Sequence, residues 1–369
     1  MDQTQPKYEV AIIGGGPIGI ELAAALRHAK VSYVHFEAGA IGSTLLWWAP
    51  GTRFFSSPER IEIAGVPLAL PHQDKASREE YLAYLRGVVR QFDLTIHSYT
   101  RVMEIHRADD EFELITQPSA HGVGGPEEIA TSARAMPQAA AQTRWRARNV
   151  VLAIGDMHRP RMLGVPGEDL PHVSHYFGEP HWYFGRRVLI AGGKNSAVEA
   201  ALRLHRIGVD LAMSYRGSEF DPKRVKYWLR PELEWLISKG KIEFHPRTVV
   251  TRIEPHQVEL ASVDDPNQRQ RIAANSVLLL TGYVQDSSLF ERLGIELVGE
   301  ERAPRFDLHT MQTNVPGVFV AGTAAGGSQR RARLFIENSH VHVQRIVRTI
   351  AGVDVPWPTG ERDFGALEQ

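Results

Sequence analysis

One pattern of apolar and polar positions occurs twice in this chain. Tyr8 to Ile13 is a short apolar run ending in glycines, as expected of a strand buried on both faces. Ile18 to His28 carries apolar residues at helical spacing, and Val31 to Glu37 reads as a second strand. Roughly 180 residues later the order returns, which makes it the main internal repeat. Arg187 to Ala191 is a strand ending in glycines, Ala197 to Arg206 its helix, and Val209 to Tyr215 the following strand.

The pattern between the repeats is less regular. Ser77-Arg78-Glu79-Glu80 has the form of a capping box and predicts a helix running to about Arg90. Strands are predicted at Thr95 to Val102, Glu111 to Thr116 and Arg148 to Ile154. Residues 118–143 are rich in Ala, Gln, Gly and Ser and read as an inserted surface loop. Pro160 to Pro171 has the turn residues of a crossover between domains. Ser276 to Leu280 and Val315 to Ala321 read as further buried strands, and a helix is expected from about Phe335 to Ile350.

The chemistry sits where strands meet helices. Gly14-Gly15-Gly16-Pro17-Ile18-Gly19 matches G-x-G-x-x-G between a strand and a helix. Gly14 would allow the tight turn, Gly16 the approach of a pyrophosphate, and Gly19 close packing of helix on strand. The helix start would point free N–H groups at the phosphates. Glu37, at the end of the next strand, is placed to accept hydrogen bonds from ribose hydroxyls.

The second loop, Gly192-Gly193-Lys194-Asn195-Ser196-Ala197, departs from the pattern, with Lys194 at the second glycine and Ala197 at the third. Its second strand ends at Tyr215-Arg216 rather than at an acid. A carboxylate there would repel a 2′-phosphate, whereas an arginine binds one bidentately, so NADPH is expected over NADH. Lys223, Arg224 and Lys226 lie just beyond. Ala153-Ile154-Gly155 and Leu280-Thr281-Gly282 each end a strand at a glycine, where the chain can cross close to a nucleotide.

Composition narrows the chemistry. Of 369 residues none is cysteine, which excludes disulfides, thiolate metal sites and a protein-borne dithiol. Lys and Arg total 42 against 43 acidic residues, and no long basic run marks a nucleic-acid or membrane partner. There is no apolar segment of spanning length and no leader pattern at the N-terminus, so a cytoplasmic location is expected. His172, His175 and His181 lie among Tyr176, Phe177, Trp182 and Tyr183; their spacing fits no ligand set, so a packed aromatic loop is expected and no metal.

Over nearly its whole length the chain resembles the thioredoxin-reductase-like flavoproteins, and within them the bacillithiol-disulfide reductase (YpdA-like) family. The residues carrying the resemblance are Phe54-Phe55-Ser56, Glu59 to Ile63, Gly192 to Leu202, Tyr215 to Ser218, Lys226-Tyr227-Trp228, Ala321-Gly322, Ala325-Gly326-Gly327 and Phe335 to Asn338. Lys194 is typical of this group.

The resemblance implies an α/β fold of two Rossmann-like dinucleotide-binding domains (three-layer ββα), the NADPH domain inserted within the FAD domain. Residues 1–159 and 283–369 would form the FAD-binding domain and 160–282 the NAD(P)H-binding domain. Gly14, Gly16, Pro17, Ile18, Gly19, Glu37, Thr44 and Gly155 would serve FAD, with Gly322, Phe335 and Ile336 beside the flavin. Gly192, Lys194, Asn195, Ser196, Ala197, Arg216 and Lys226 would serve NADPH.

The implied activity is hydride transfer from NADPH through flavin to a small disulfide, a ferredoxin or flavodoxin, or a quinone, by a homo-oligomer. The chain departs from the group at Ile18, where a cysteine is often found. Chemistry is therefore expected on the flavin, with no catalytic side chain. Two rivals are a flavin monooxygenase, which needs a Phe-x-Gly-x-x-x-His linker whose spacing is absent here, and a non-catalytic nucleotide sensor.

Overall fold

A computed structural model describes residues 7–72, 74–119, 142–330 and 333–359. The inserted loop expected at 118–143 lies almost wholly outside these residues.

The first sheet has the order Tyr33–Phe36, Lys7–Ile13, Thr143–Leu152, Glu111–Pro118, Thr100–Ala108, with Val318–Val320 paired to Thr143–Leu152. Lys7–Ile13 runs parallel to both of its neighbours, and Val318–Val320 runs parallel to Thr143–Leu152. The pairs involving Glu111–Pro118 are antiparallel. The first helix, Pro17–His28, packs against the closing helix, His340–Ala351. A parallel layer, an antiparallel ribbon and a helical layer result.

The second sheet is wholly parallel, in the order Glu243–Pro246, Asp210–Tyr215, Arg187–Ala191, Ser276–Leu279, Val173–Ser174. Helix Asn195–Arg206 covers one face, burying Ala197, Val198, Ala201, Leu202 and Leu204. A three-stranded antiparallel sheet, Thr248–Glu254, Gln257–Ser262 and Arg269–Ala273, covers the other through Val250, Val258, Leu260 and Ile272. Strands buried on both faces lose the alternation that marks half-buried strands, which is why they read as unbroken apolar runs.

The second unit lies within the first, because strands on both sides of it in sequence complete the first sheet. The chain leaves and returns through one two-stranded ribbon, Arg159–Pro160 against Tyr283–Val284. His158 fastens this crossing: its Nε2 donates to the Ile154 carbonyl at 2.8 Å, and its Nδ1 accepts from the Asp286 amide at 2.7 Å. Burial holds this imidazole below the usual histidine range.

Most expected elements lie within a few residues of their observed bounds. The Ser77 capping box forms, with Ser77 Oγ accepting from the Glu80 amide and Glu80 Oε2 accepting from the Ser77 amide. Two expectations are corrected. Thr95 to Ser98 is not in a strand that runs on to Val102; the strand begins at Thr100, after a left-handed Tyr99. The expected Phe335–Ile350 helix is broken into a 3-10 turn, Ile336–Asn338, and a helix starting at His340, because the Ser339 amide bonds to the Ile336 carbonyl while the Ser339 hydroxyl donates to the Phe335 carbonyl that a continuous α-helix would use. No helix among the described residues is long and apolar enough to cross a membrane.

Candidate active site

The first glycine loop is shaped by what surrounds it. Gly14 has φ +113°, and a Cβ there would overlap the Ala153 carbonyl. A Cβ at Gly19 would overlap the Gly14 carbonyl oxygen, so helix and strand meet with no room for a side chain. His35 Nε2 holds that carbonyl at 2.9 Å. His35 is fully buried, its Nδ1 has no partner among the described residues, and burial pushes its pKa down to about 4.

Glu37 organises the loop as well as facing the cavity. Its Oε2 accepts from the Gly15 amide at 2.6 Å, and its Oε1 accepts from the Gly39 amide and Ser43 Oγ. Burial raises its pKa, and those hydrogen bonds oppose the rise.

The second loop repeats the design with different atoms. Gly192 has φ +152°, and a Cβ there would come within 2.9 Å of the Ala197 Cβ. A Cβ at Gly193 would overlap the Tyr215 ring, which folds over the loop and stacks on Phe220. Lys194 does not stay over its own loop: its Nζ donates to the Arg330 carbonyl at 2.8 Å, bridging to the first unit. Burial first, then the neighbouring Arg224, Arg216 and Arg161, lowers the Lys194 pKa.

Both loops open into one cavity of about 2180 Å³. Of the residues singled out from the sequence, Gly14, Gly16, Pro17, Ile18, Glu37, Thr44, Gly155, Gly322, Phe335 and Ile336 line it from the first unit. Lys194, Asn195, Ser196 and Lys226 line it from the second. Gly19, Gly192 and Ala197 lie behind the loops as packing positions, and Arg216 is exposed outside the lining, close enough to Lys194 for their charges to interact.

The residues present fit dinucleotides. A Cβ at Gly16 would meet no atom within 4 Å, so there is open room in front of that backbone. Helices Pro17–His28 and Asn195–Arg206 both begin without a side-chain cap, leaving their first amides to a ligand. A single drug-sized ligand takes roughly 300–1,000 Å³, and this cavity is more than twice that.

Several residues of the site escape sequence reasoning. His342 Nδ1 accepts from the Gly322 amide at 3.1 Å, and burial pushes this imidazole down to about 4. Asp156 lines the cavity and accepts from Gln329 Nε2 at 3.0 Å and from Thr323; burial raises its pKa. Glu21 and His340 meet at 2.7 Å in the wall. Their only sequence signal is a charged residue on an apolar helix face.

The three-residue histidine spacing resolves into an aromatic seam. Tyr176 packs between Trp47 and Tyr283, joining the two units. Arg203 joins them too, donating to Thr52 Oγ1 and the Pro50 carbonyl while its guanidinium lies over Phe177.

The family profile for pyridine nucleotide-disulphide oxidoreductases matches residues 11–121 and 138–322. Bacilliredoxin reductase Bdr of Bacillus subtilis is 33% identical over 340 residues, 92% of this chain and 96% of that protein. The structure of bacillithiol disulfide reductase Bdr (YpdA) from Bacillus cereus is similar with a TM-score of 0.83 and 32% identity, covering 94% of this chain and 99% of that one. A ferredoxin–NADP reductase of Leuconostoc citreum is 24% identical over 87% of this chain and 85% of its own. The chain belongs to the pyridine nucleotide-disulphide oxidoreductase family, and is a flavin-containing, NAD(P)H-dependent oxidoreductase.

Proposed function

We propose that the chain takes hydride from NADPH in residues 160–282, passes it to FAD held by residues 1–159 and 283–369, and reduces a small acceptor without any protein thiol. The observation that carries this reading is the single cavity reaching from Gly14–Gly16 to Lys194–Ser196. Two nucleotides held at its two ends would have their reactive rings brought together, and hydride transfer needs contact at roughly 3–3.5 Å.

Bound FAD would supply a ring that accepts hydride and passes electrons on. The chain's own residues bind, orient and exclude water. Gly14, Gly16 and the first amides of Pro17–His28 would take the pyrophosphate, and Glu37 and Thr44 the adenosine side. Gly155, Gly322, Phe335 and Ile336 would border the flavin. Asn195, Ser196 and Lys226 would hold the second nucleotide, while Arg216, with Arg161 and Arg224, makes the cationic cluster suited to a 2′-phosphate.

The relatives are named for bacilliredoxin, bacillithiol disulfide and ferredoxin, all small redox partners. Ile18, 6% exposed, lines the cavity against Gly322. An isoleucine there can neither attack a disulfide nor add to the flavin, so electrons would leave for the acceptor directly.

Anaerobic titration tests this. NADPH should bleach a yellow protein with one equivalent per FAD, and chromatography of the heat-released cofactor should show FAD. Release of FMN, or bleaching by NADH alone, would refute the assignment.

A further inference from the structure

Glu21 and His340 form a carboxylate–imidazole pair in the wall of the cavity. Glu21 is 1% exposed, on the first helix one turn after Ile18. Its Oε2 meets His340 Nδ1 at 2.7 Å, and its Oε1 accepts from Trp357 Nε1 at 3.0 Å and more distantly from the Ala64 amide. His340 opens the closing helix, and its side chain is 12% exposed. Both residues line the cavity.

A carboxylate fixed by an indole and an amide holds Nδ1 of the imidazole, so the ring is oriented in the cavity wall. Near His340 are also Arg60, whose carbonyl lies 3.4 Å from Nε2, Glu337 paired with Arg60, and His342 on its own helix, which Arg345 faces in turn.

We propose that His340 donates the proton that completes reduction of the acceptor, with Glu21 as its positioning residue, so the natural acceptor takes up hydrogen and not electrons alone. This rests on the hydride-transfer reading above. A hydride brings two electrons and one proton. A quinone then needs one more proton to become a quinol, and a disulfide needs one more to yield two thiols. That proton would pass from the protonated His340 to the quinol oxygen or the departing thiolate sulfur, and solvent would restore it. A ferredoxin takes single electrons and would have no use for the pair. The pair also stands beside Ile18, in a chain that has no thiol to share the proton transfer.

The test compares menadione, which takes two electrons and two protons, with ferricyanide, which takes one electron and no proton. Rates are measured per bound flavin under NADPH across pH. In His340→Gln the ratio of menadione to ferricyanide turnover should fall about 100-fold, the usual scale for a positioned general acid, and lose its decline at high pH. Glu21→Gln keeps His340 but removes the charge beside it; it should lower the same ratio and move the pH at which it falls. It decides the matter on the same criterion if His340→Gln loses its flavin.

A ratio within about twofold of wild type overturns the inference, as does an equal fall with both acceptors, since general-acid loss should touch only the proton-consuming one. A wild type that NADPH bleaches but that reduces ferricyanide and no quinone or disulfide also overturns it, leaving the hydride-transfer reading intact. Failure of NADPH to bleach the wild type would instead strike that underlying reading.

Discussion

At Gly19 one added carbon would overlap the Gly14 carbonyl oxygen, and neither helix nor strand can move away without the other. Gly19→Ala should therefore cost about 1–3 kcal/mol by overpacking. Its more visible effect should be loss of cofactor, because the displaced carbonyl belongs to the loop that would hold the pyrophosphate. Flavin content after gel filtration and the melting temperature would both report it; a variant as yellow and as stable as wild type would show that the loop yields freely. Arg216 is exposed just outside the cavity lining, and its proposed role is direct contact with the 2′-phosphate. Arg216→Ala should raise the NADPH KM by roughly one to two powers of ten, leaving NADH use nearly unchanged, because a charge-assisted bidentate contact contributes about 1.5–3 kcal/mol. Steady-state kinetics with both nucleotides separates this from general damage. At this scale the sequence is readable where chemistry dictates spacing, as in Gly14-x-Gly16-x-x-Gly19 and Glu37. It is silent where a partner arrives from afar. Nothing near Gly193 announces the Tyr215 ring, and Glu21 and His340 are 319 positions apart.

Two backbone turns of the first unit that line the cavity are each held by a histidine. His35 grips the Gly14 carbonyl and His342 the Gly322 amide. Both imidazoles are buried and pushed down to about 4. His97 adds repulsion at His35, and Arg345 and His340 at His342. A histidine unfolds to a value near 6.5, so the unfolded chain binds the proton first. Stability should then be full above about pH 6.5, fall between about 6.5 and 4, and stop changing through these groups below that, with the two together worth several kcal/mol. Melting temperature and flavin retention followed from pH 7 to 4 should decline together. His35→Gln and His342→Asn, which keep the needed donor and acceptor without titrating, should flatten the decline; an unchanged slope would place the acid sensitivity elsewhere. The central parallel strands and both opening helices are legible, since burial on two faces leaves an unbroken apolar run and a glycine turn marks its end; the outer strands Glu243–Pro246 and Val173–Ser174, short and partly polar, are not. Nor is the three-stranded sheet of residues 248–273. Its strands are half exposed, with polar positions such as Arg252, Glu259 and Arg271 blurring the pattern.

The whole molecule has no sulfur nucleophile, and this sets how many electrons it can store. A flavoenzyme with a dithiol holds four electrons per FAD; this one should hold two, and iodoacetamide should leave its turnover intact. Consumption of two NADPH per FAD in an anaerobic titration, or inactivation by alkylation, would contradict that. The nesting of one unit inside the other also bears on how the protein comes to be made. The strand Val318–Val320 completes the first sheet, and helix His340–Ala351 covers it, yet both lie near the end of the chain. The last strand of the inner unit, Ser276–Leu279, leaves the ribosome well before them. Chains usually fold N-terminal domain first during synthesis. Here the order should invert: the inner unit should become protease-resistant on stalled ribosomes while the edge of the first sheet at Val150–Leu152 and the face of helix Pro17–His28 that meets the closing helix still wait, uncovered, for partners not yet translated. That exposed interval is where such a chain would most need a chaperone.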